Sequence, residues 1–297
     1  MKNKNFVIIA FMLLTSSLSF AQQTYAPFMK TSAQNKSIDE LTTEIKAALV
    51  SKNFELIGQY NPMQSEDLFV LCFTRNDLQK ACLSFQERGA LASVLKIGLQ
   101  KTGNSVDISI QNPMYMFYAY FREEISKQQT VLTKIDADAK LVLSDMYGKL
   151  SSFGGELNTE KLMNYHYKVM MPYFDDPAEL ETYASFEEGL AYIQAKLEKS
   201  TRVKKVYQQI FTEQKVAVFG LAFQDIEKGE EKYLPIIGES HLAAMPYEII
   251  LQGKEVTILP GKYRIALYWP ELTMGTFMKI MSTPGNIEDA FKEVTVK

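Results

Sequence analysis

The sequence predicts an α+β fold built twice: two similar domains, each with helices packed on one face of a mostly antiparallel sheet. Two observations predict it. Ser37, Asp39, Glu40, Ile45, Ala47 and Leu49 align with Ser185, Glu187, Glu188, Ile193, Ala195 and Leu197 at a constant offset of 148, and Leu68, Val70 and Leu71 with Val216, Val218 and Phe219 at the same offset. Ala92, Ile97, Leu99 and Gln100 then meet Ala244, Ile249, Leu251 and Gln252 at 152, and Ile108, Ile110 and Pro113 meet Ile265, Leu267 and Pro270 at 157. An offset that changes only between elements is what loop insertions leave in a duplicated unit. Within each copy, moreover, amphipathic helical stripes stand apart from strand runs joined by short turns, an α+β arrangement. The expected division is 1–21 as signal peptide, 22–122 as first repeat, 123–160 as a helical or linker segment and 161–297 as second repeat.

Residues 1–21 carry Lys2 and Lys4, an apolar run over 6–14, and Ser19-Phe20-Ala21 as a small-x-small cleavage site. The run is too short for an ordinary membrane-spanning helix. The mature chain is therefore expected to begin near Gln22 and to be periplasmic or secreted, as a soluble protein.

In the first repeat, 25–31 alternates as an opening strand. Ser37 and Glu40 form a capping box ahead of Ile38, Leu41, Ile45 and Leu49, one helical stripe ended by Asn53. Residues 54–60 alternate as a strand, and 68–73 is an apolar run suited to a buried one. Residues 77–86 read as helix up to Gly89. Residues 94–100 and 106–111 flank a Thr102-Gly103-Asn104 hairpin turn, and Pro113 leads into an aromatic helix over 114–121. Residues 123–150 are polar-rich and helix-compatible, and 151–155 is the linker candidate.

The second repeat follows the same order. Residues 165–171 read as its first strand. Ser185 and Glu188 cap the stripe Phe186, Leu190, Ile193 and Leu197. Strands are expected at 203–211 and 216–223. Residues 225–239 carry Gly and Pro where the first repeat has a helix. A meander of 247–252, 256–259 and 263–269 turns at Gly253-Lys254 and Pro260-Gly261. A helix over 272–281 is broken at Thr283-Pro284-Gly285, and Asn286 caps the last one.

The order cap, helix, Asn-Phe, strand, apolar strand, helix, hairpin and closing Pro resembles the small α/β domain of the domain-of-unknown-function 302 family. Residues 37–40, Asn53-Phe54, 70–73 and 106–113 carry the resemblance, over about 100 residues of the first repeat and more loosely from Tyr165 onward. It implies no catalytic residues and no cofactor. Where single-copy members pair as dimers, it implies that the two repeats form a pseudo-dimer within a monomeric chain.

Composition narrows the function further. At 46% hydrophobic and 12% aromatic the chain can build real cores. Its net charge of −3 lacks the basic footprint of a nucleic-acid binder, and no later run has the length of a membrane span. Cys72 and Cys82 are the two cysteines. They read either as a disulfide between a strand and its following helix or as two buried thiols acting as small apolar residues.

No nucleophile elbow, zinc-protease helix, phosphate loop or dinucleotide fingerprint is present. Asp136-x-Asp138 starts like a calcium loop but lacks the required glycine, and reads as a solvated helix face. His166 and His241 are the chain's two histidines. With Met170 or Met171 they would suit a soft ion, and with Glu239 they would suit zinc, although the plainer reading is two structural histidines. Ser240 beside His241 invites a nucleophile–base pair, but neighbours on a strand face opposite sides. Asp175-Asp176-Pro177 is turn chemistry first, and the methionines of 274–281 read as core.

The favoured function is a non-catalytic module binding a small molecule or protein. Its cleft would be lined by Tyr165, His166, Tyr167, His241, Arg264 and Trp269. The alternatives are a metal-assisted or hydrolytic periplasmic enzyme using His166 and His241, and a structural or assembly protein offering sheet edges.

Overall fold

The structure is a computed structural model describing residues 23–168 and 171–297. The signal-peptide residues and Met170 lie outside the described residues. The strands are β1 (Thr24–Tyr25), β2 (Phe28–Gln34), β3 (Glu55–Tyr60), β4 (Leu68–Thr74), β5 (Leu95–Thr102), β6 (Ser105–Gln111), β7 (Ser151–Phe153), β8 (Leu157–Asn158), β9 (Ala178–Thr182), β10 (Val203–Phe211), β11 (Val216–Phe223), β12 (Tyr247–Gln252) and β13 (Glu255–Ile258). The helices are α1 (Ile38–Ser51), α2 (Asn76–Leu83), α3 (Pro113–Phe121), α4 (Gln129–Tyr147), α5 (Thr159–Met163), α6 (Phe186–Leu197), α7 (Glu230–Ile237), α8 (Gly261–Tyr268), α9 (Met274–Lys279) and α10 (Thr283–Thr295).

The fold is α+β, and beside a two-stranded β1-β8 sheet it holds two larger antiparallel sheets of matching order. One runs β3-β4-β5-β6-β2-β7 and the other β10-β11-β12-β13-β9. Both first helices start as their sequences require. Ser37 Oγ accepts from Glu40 N at 3.2 Å while Glu40 accepts from Ser37 N at 2.8 Å, and Ser185 Oγ accepts from Glu188 N at 3.2 Å. The apolar stripes of α1 and α6 bury Ile45 and Ile193 completely. Helices α1 and α4 cover the outside of the first sheet, α6 and α10 that of the second.

The sheets meet across a pseudo-twofold axis that the register makes explicit. Cys72 pairs with Lys96 in the first sheet and Gly220 with Glu248 in the second, matching the offsets of 148 and 152. Each sheet also carries a bulge in its first strand pair, at Leu56/Gly58 and at Lys205/Tyr207. Across the axis, Tyr115 OH donates to Leu267 O at 2.6 Å and Tyr263 OH to Ala119 O at 3.5 Å, a reciprocal pair. Tyr120 and Tyr268 meet hydroxyl to hydroxyl at 3.3 Å. The short 3-10 turns Gly89–Ala92 and Glu239–Ala244 each pack on the sheet of the other repeat, so one hydrophobic cluster runs through both halves.

Close approach is part of this interface: a Cβ on Gly58 of β3 would sit 2.5 Å from Val206 O of β10. Within the second sheet, a Cβ on Gly220 would sit 2.1 Å from the ring of its cross-strand partner Tyr207.

Several expectations are corrected. Residues 263–269 are not a strand but most of α8, so the true equivalent of α3 lies at an offset of 148 rather than 157. Its residues Tyr263 through Tyr268 are buried on every side, and a segment without a wet face has no periodicity to read. Residues 230–237 form α7 despite Pro235, and 151–153 is an edge strand on β2 rather than linker. Residues 165–168 are irregular, and β9 supplies the second sheet's edge instead. Helix α10 starts at Thr283 after Ser282, with its proline in the first turn where no N–H is needed. Asp136 is not solvated: it is largely buried, paired to Lys140 at 2.8 Å, and accepts from Met114 N.

Candidate functional site

The site is built by the segment that leads from the first repeat into the second. Strand β8 pairs with β1, and Asn158 ends it by capping α5, its Oδ1 accepting from Lys161 N at 2.8 Å. Leu162, fully buried, ties this single turn of helix against α3. Asn164 closes it, its Nδ2 donating to Glu160 O at 3.2 Å. The chain then passes through Tyr165, His166 and Tyr167, which together with Leu157, Asn158, Glu160, Lys161, Asn164 and Pro270 line an open cavity of about 720 Å³.

The three ring residues of this wall are held differently. Tyr165 is buried edge-on against Tyr263, ring centroids 5.8 Å apart, and burial pushes its phenol pKa well up. His166 is half-buried, 4.4 Å from the Tyr173 ring. Tyr167 donates to Leu272 O at 3.3 Å, with the Lys168 ammonium 5.5 Å from its ring centroid. A second, smaller cavity of about 260 Å³ shares Asn164 and is floored by Phe85, Tyr120, Phe121 and Phe174.

The other sequence candidates lie elsewhere. His241 is enclosed by Phe28, Phe153 and Trp269 at centroid distances of 5.3, 5.4 and 5.3 Å. Burial pushes its pKa down to about 4, leaving a neutral imidazole at neutral pH. Ser240 and His241 sit on a 3-10 turn rather than a strand, which brings Ser240 Oγ to 3.4 Å from His241 Nδ1. Trp269 is buried, its indole N–H without a partner among the described residues.

Arg264 is sunk completely into a charge cluster at the pseudo-twofold axis. It donates to Pro246 O at 2.8 Å and to Glu248 Oε2 at 3.0 Å, with its guanidinium 4.0 Å from the Tyr247 ring centroid. Glu248 Oε1 accepts from Lys96 Nζ and, at 3.2 Å, from Tyr207 OH.

The six candidates therefore divide into three that line a cavity, a stacked His241–Trp269 pair, and one structural arginine. His166 lies against Tyr173, whereas His241 is ringed by Phe28, Phe153 and Trp269. No group of three or more His, Cys, Asp or Glu able to hold a metal exists among the described residues. Cys72 and Cys82 are both buried free thiols rather than a disulfide. Asn158, Lys161, Asn164 and Pro270 were not singled out by the sequence reading. The signal for them was Asn158-Thr159-Glu160, a helix N-cap inside what read as linker.

No protein-family model matches the chain, and no curated protein does. A search of solved structures finds a likeness to the crystal structure of an uncharacterised conserved protein, DUF302, from Bacillus stearothermophilus. The match has 10% sequence identity and a TM-score of 0.33, and covers 39% of this chain and 95% of that one. The duplication itself stands on the internal register and the reciprocal hydrogen bonds. Among the described residues no helix is long and apolar enough to cross a membrane.

Proposed function

We propose that this chain is an exported, non-catalytic binding protein whose ligand seats in the 720 Å³ cavity beside α5. One observation carries the reading: Tyr165, His166 and Tyr167, consecutive residues of one irregular segment, line the same open cavity as Lys161, Asn158 and Asn164. Ring surface beside a few polar groups is the composition of a small-molecule site. The ligand class is a small polar molecule with a ring or sugar face. Residues 1–21 support export, with cleavage after Ala21.

The test is tyrosine-fluorescence titration of the mature chain with saccharides and aromatic amino acids, repeated on Tyr167→Ala and His166→Ala. Saturable binding lost in both variants supports the site. A ligand bound equally well by both variants overturns it. N-terminal sequencing of the exported protein should begin at Gln22.

A further inference from the structure

Apolar surface reaches solvent in two forms in this chain. Met274, Met278 and Met281, expected in the core, are simply exposed side chains. Phe85, Tyr120, Phe121 and Phe174 are instead 2–4% exposed and floor the cavity of about 260 Å³. Four stretches of chain converge there: the residues after α2, the end of α3, the end of α5 and the segment ahead of β9. The rings hold one another. Phe85 stacks flat on Phe121 with centroids 3.9 Å apart, and Tyr120 lies 4.8 Å from Phe174.

Arg122 braces the wall. Its backbone sits at φ 54° and ψ −135°, a conformation that glycine adopts freely and arginine does not. Its side chain is held on two sides, Nε donating to Met163 O at 3.3 Å and Nη1 to Asp175. The end of α3 is thereby tied to α5 and to the segment carrying Phe174. Strained residues that their surroundings over-determine cluster at ligand sites.

The cavity's size and charge select a ligand. An apolar cavity of about 150 Å³ encloses one benzene ring, so 260 Å³ takes a single ring with a short arm. Glu87, Glu123 and Glu124 are exposed at the mouth beside Arg122. Arg122 is engaged by Asp175, Glu124 by Lys127 at 2.6 Å, and Glu87 by Arg88 at 3.0 Å. Four carboxylates against three cations leave one over, and the carboxylate of Glu123 has no ion pair among the described residues. A protonated amine entering here meets that carboxylate and the ring faces, both favourable to a cation. A ligand carboxylate finds Arg122 already paired.

We propose that this cavity binds an arylalkylammonium cation, one aromatic ring on the Phe85–Phe121 floor and a protonated amine at the mouth beside Glu123. The site shares only Asn164 with the α5 cavity and does not depend on that cavity's ligand.

The experiment titrates the mature full-length chain with 2-phenylethylammonium by calorimetry at neutral pH and low salt. The anion 3-phenylpropanoate, of similar size, is titrated in parallel. One equivalent of the ammonium should bind and shift the 13C-methyl resonance of Met163, which is identified by its loss in Met163→Leu. Glu123→Gln should weaken binding about two- to fivefold, the worth of an exposed charge interaction, and Glu123→Lys should weaken it further. The anion should bind more than about tenfold more weakly, because it meets like charge. Tyr167→Ala, in the α5 cavity, should leave the affinity unchanged. Wild-type protein that takes no ammonium, an anion bound as tightly, or a Glu123→Lys variant as tight as wild type overturns the proposal. So does binding that disappears in Tyr167→Ala, which places the ligand in the other cavity.

Discussion

Removing Glu248 tests the join between the two repeats. Its carboxylate is 5% exposed and bridges Lys96 of the first sheet, at 2%, to Arg264 of α8, at 1%. Burial alone would raise its pKa, but Lys96 and then Arg264 outweigh that and bring it below its ordinary value. Glu248→Ala leaves an ammonium and a guanidinium buried together with no counter-charge. Breaking a buried pair from one side costs about 3–5 kcal/mol, and two stranded cations place this change near the top of that range. Lys96→Met leaves Glu248 still accepting from Arg264 Nη2 at 3.0 Å and Tyr207 OH at 3.2 Å. The cluster goes from one net positive charge to neutral and loses one charge-assisted bond, roughly 2 kcal/mol. Urea unfolding followed by far-UV circular dichroism gives both values. If Lys96→Met costs as much as Glu248→Ala, or if both cost less than about 1 kcal/mol, then Glu248 is not the bridge between two cations.

The cluster also explains why the repeats pair with each other. Lys96 and Glu248 occupy equivalent positions in the two copies, so either repeat paired with itself would oppose like charges at the axis. Opposite charges there favour the pairing within one chain.

Further predictions concern buried titratable groups and caps. Burial pushes Glu230 up to about 7, although Tyr60 OH donates to it at 3.0 Å. Its folded pKa lies above the ordinary 4.5, so its contribution is full below pH 4.5 and is lost as pH rises through 7, roughly 3 kcal/mol in all. His241 runs the opposite way: depressed from 6.5 to about 4, its contribution is full above pH 6.5 and is lost as pH falls through 4. Because burial penalises the charged forms, chemical unfolding across pH 4–8 should show Glu230→Gln gaining on the wild type toward base and His241→Phe gaining on it toward acid; unchanged slopes in both would contradict the assignment. Ser37→Ala and Ser185→Ala should each cost about 1 kcal/mol and add in the double variant, because the caps lie in separate helices. A coupled effect would speak against their equivalence. Burial pushes the Cys72 thiol up to about 12 and raises that of Cys82, so Ellman's reagent should find no reactive thiol in native protein and two after denaturation. None after denaturation would mean a disulfide.

Local chemistry made much of the fold legible. A serine followed three residues later by glutamate starts α1 and α6 because the side chain satisfies a helix's orphan N–H within one turn. The runs at β4 and β11 read as strands because both faces are covered. What failed was any segment whose neighbours come from far along the chain. Helix α8 has no polar side, because α10 and the aromatic helix of the other repeat enclose it. Strand β7 is three residues of little strand character that pair because β2 presents an open edge. The methionines of α9 looked like core because apolarity shows in sequence whereas exposure does not.

The sequence by itself determined the duplication, the α+β class and the two capped helices, since each rests on interactions between residues a few positions apart. Only the tertiary structure decided that Tyr165, His166 and Tyr167 share one cavity while His241 is walled in by Phe28, Phe153 and Trp269. It alone placed Lys96 against Glu248, 152 residues away. Contacts at that separation depend on how two finished sheets dock, and no local pattern encodes the docking.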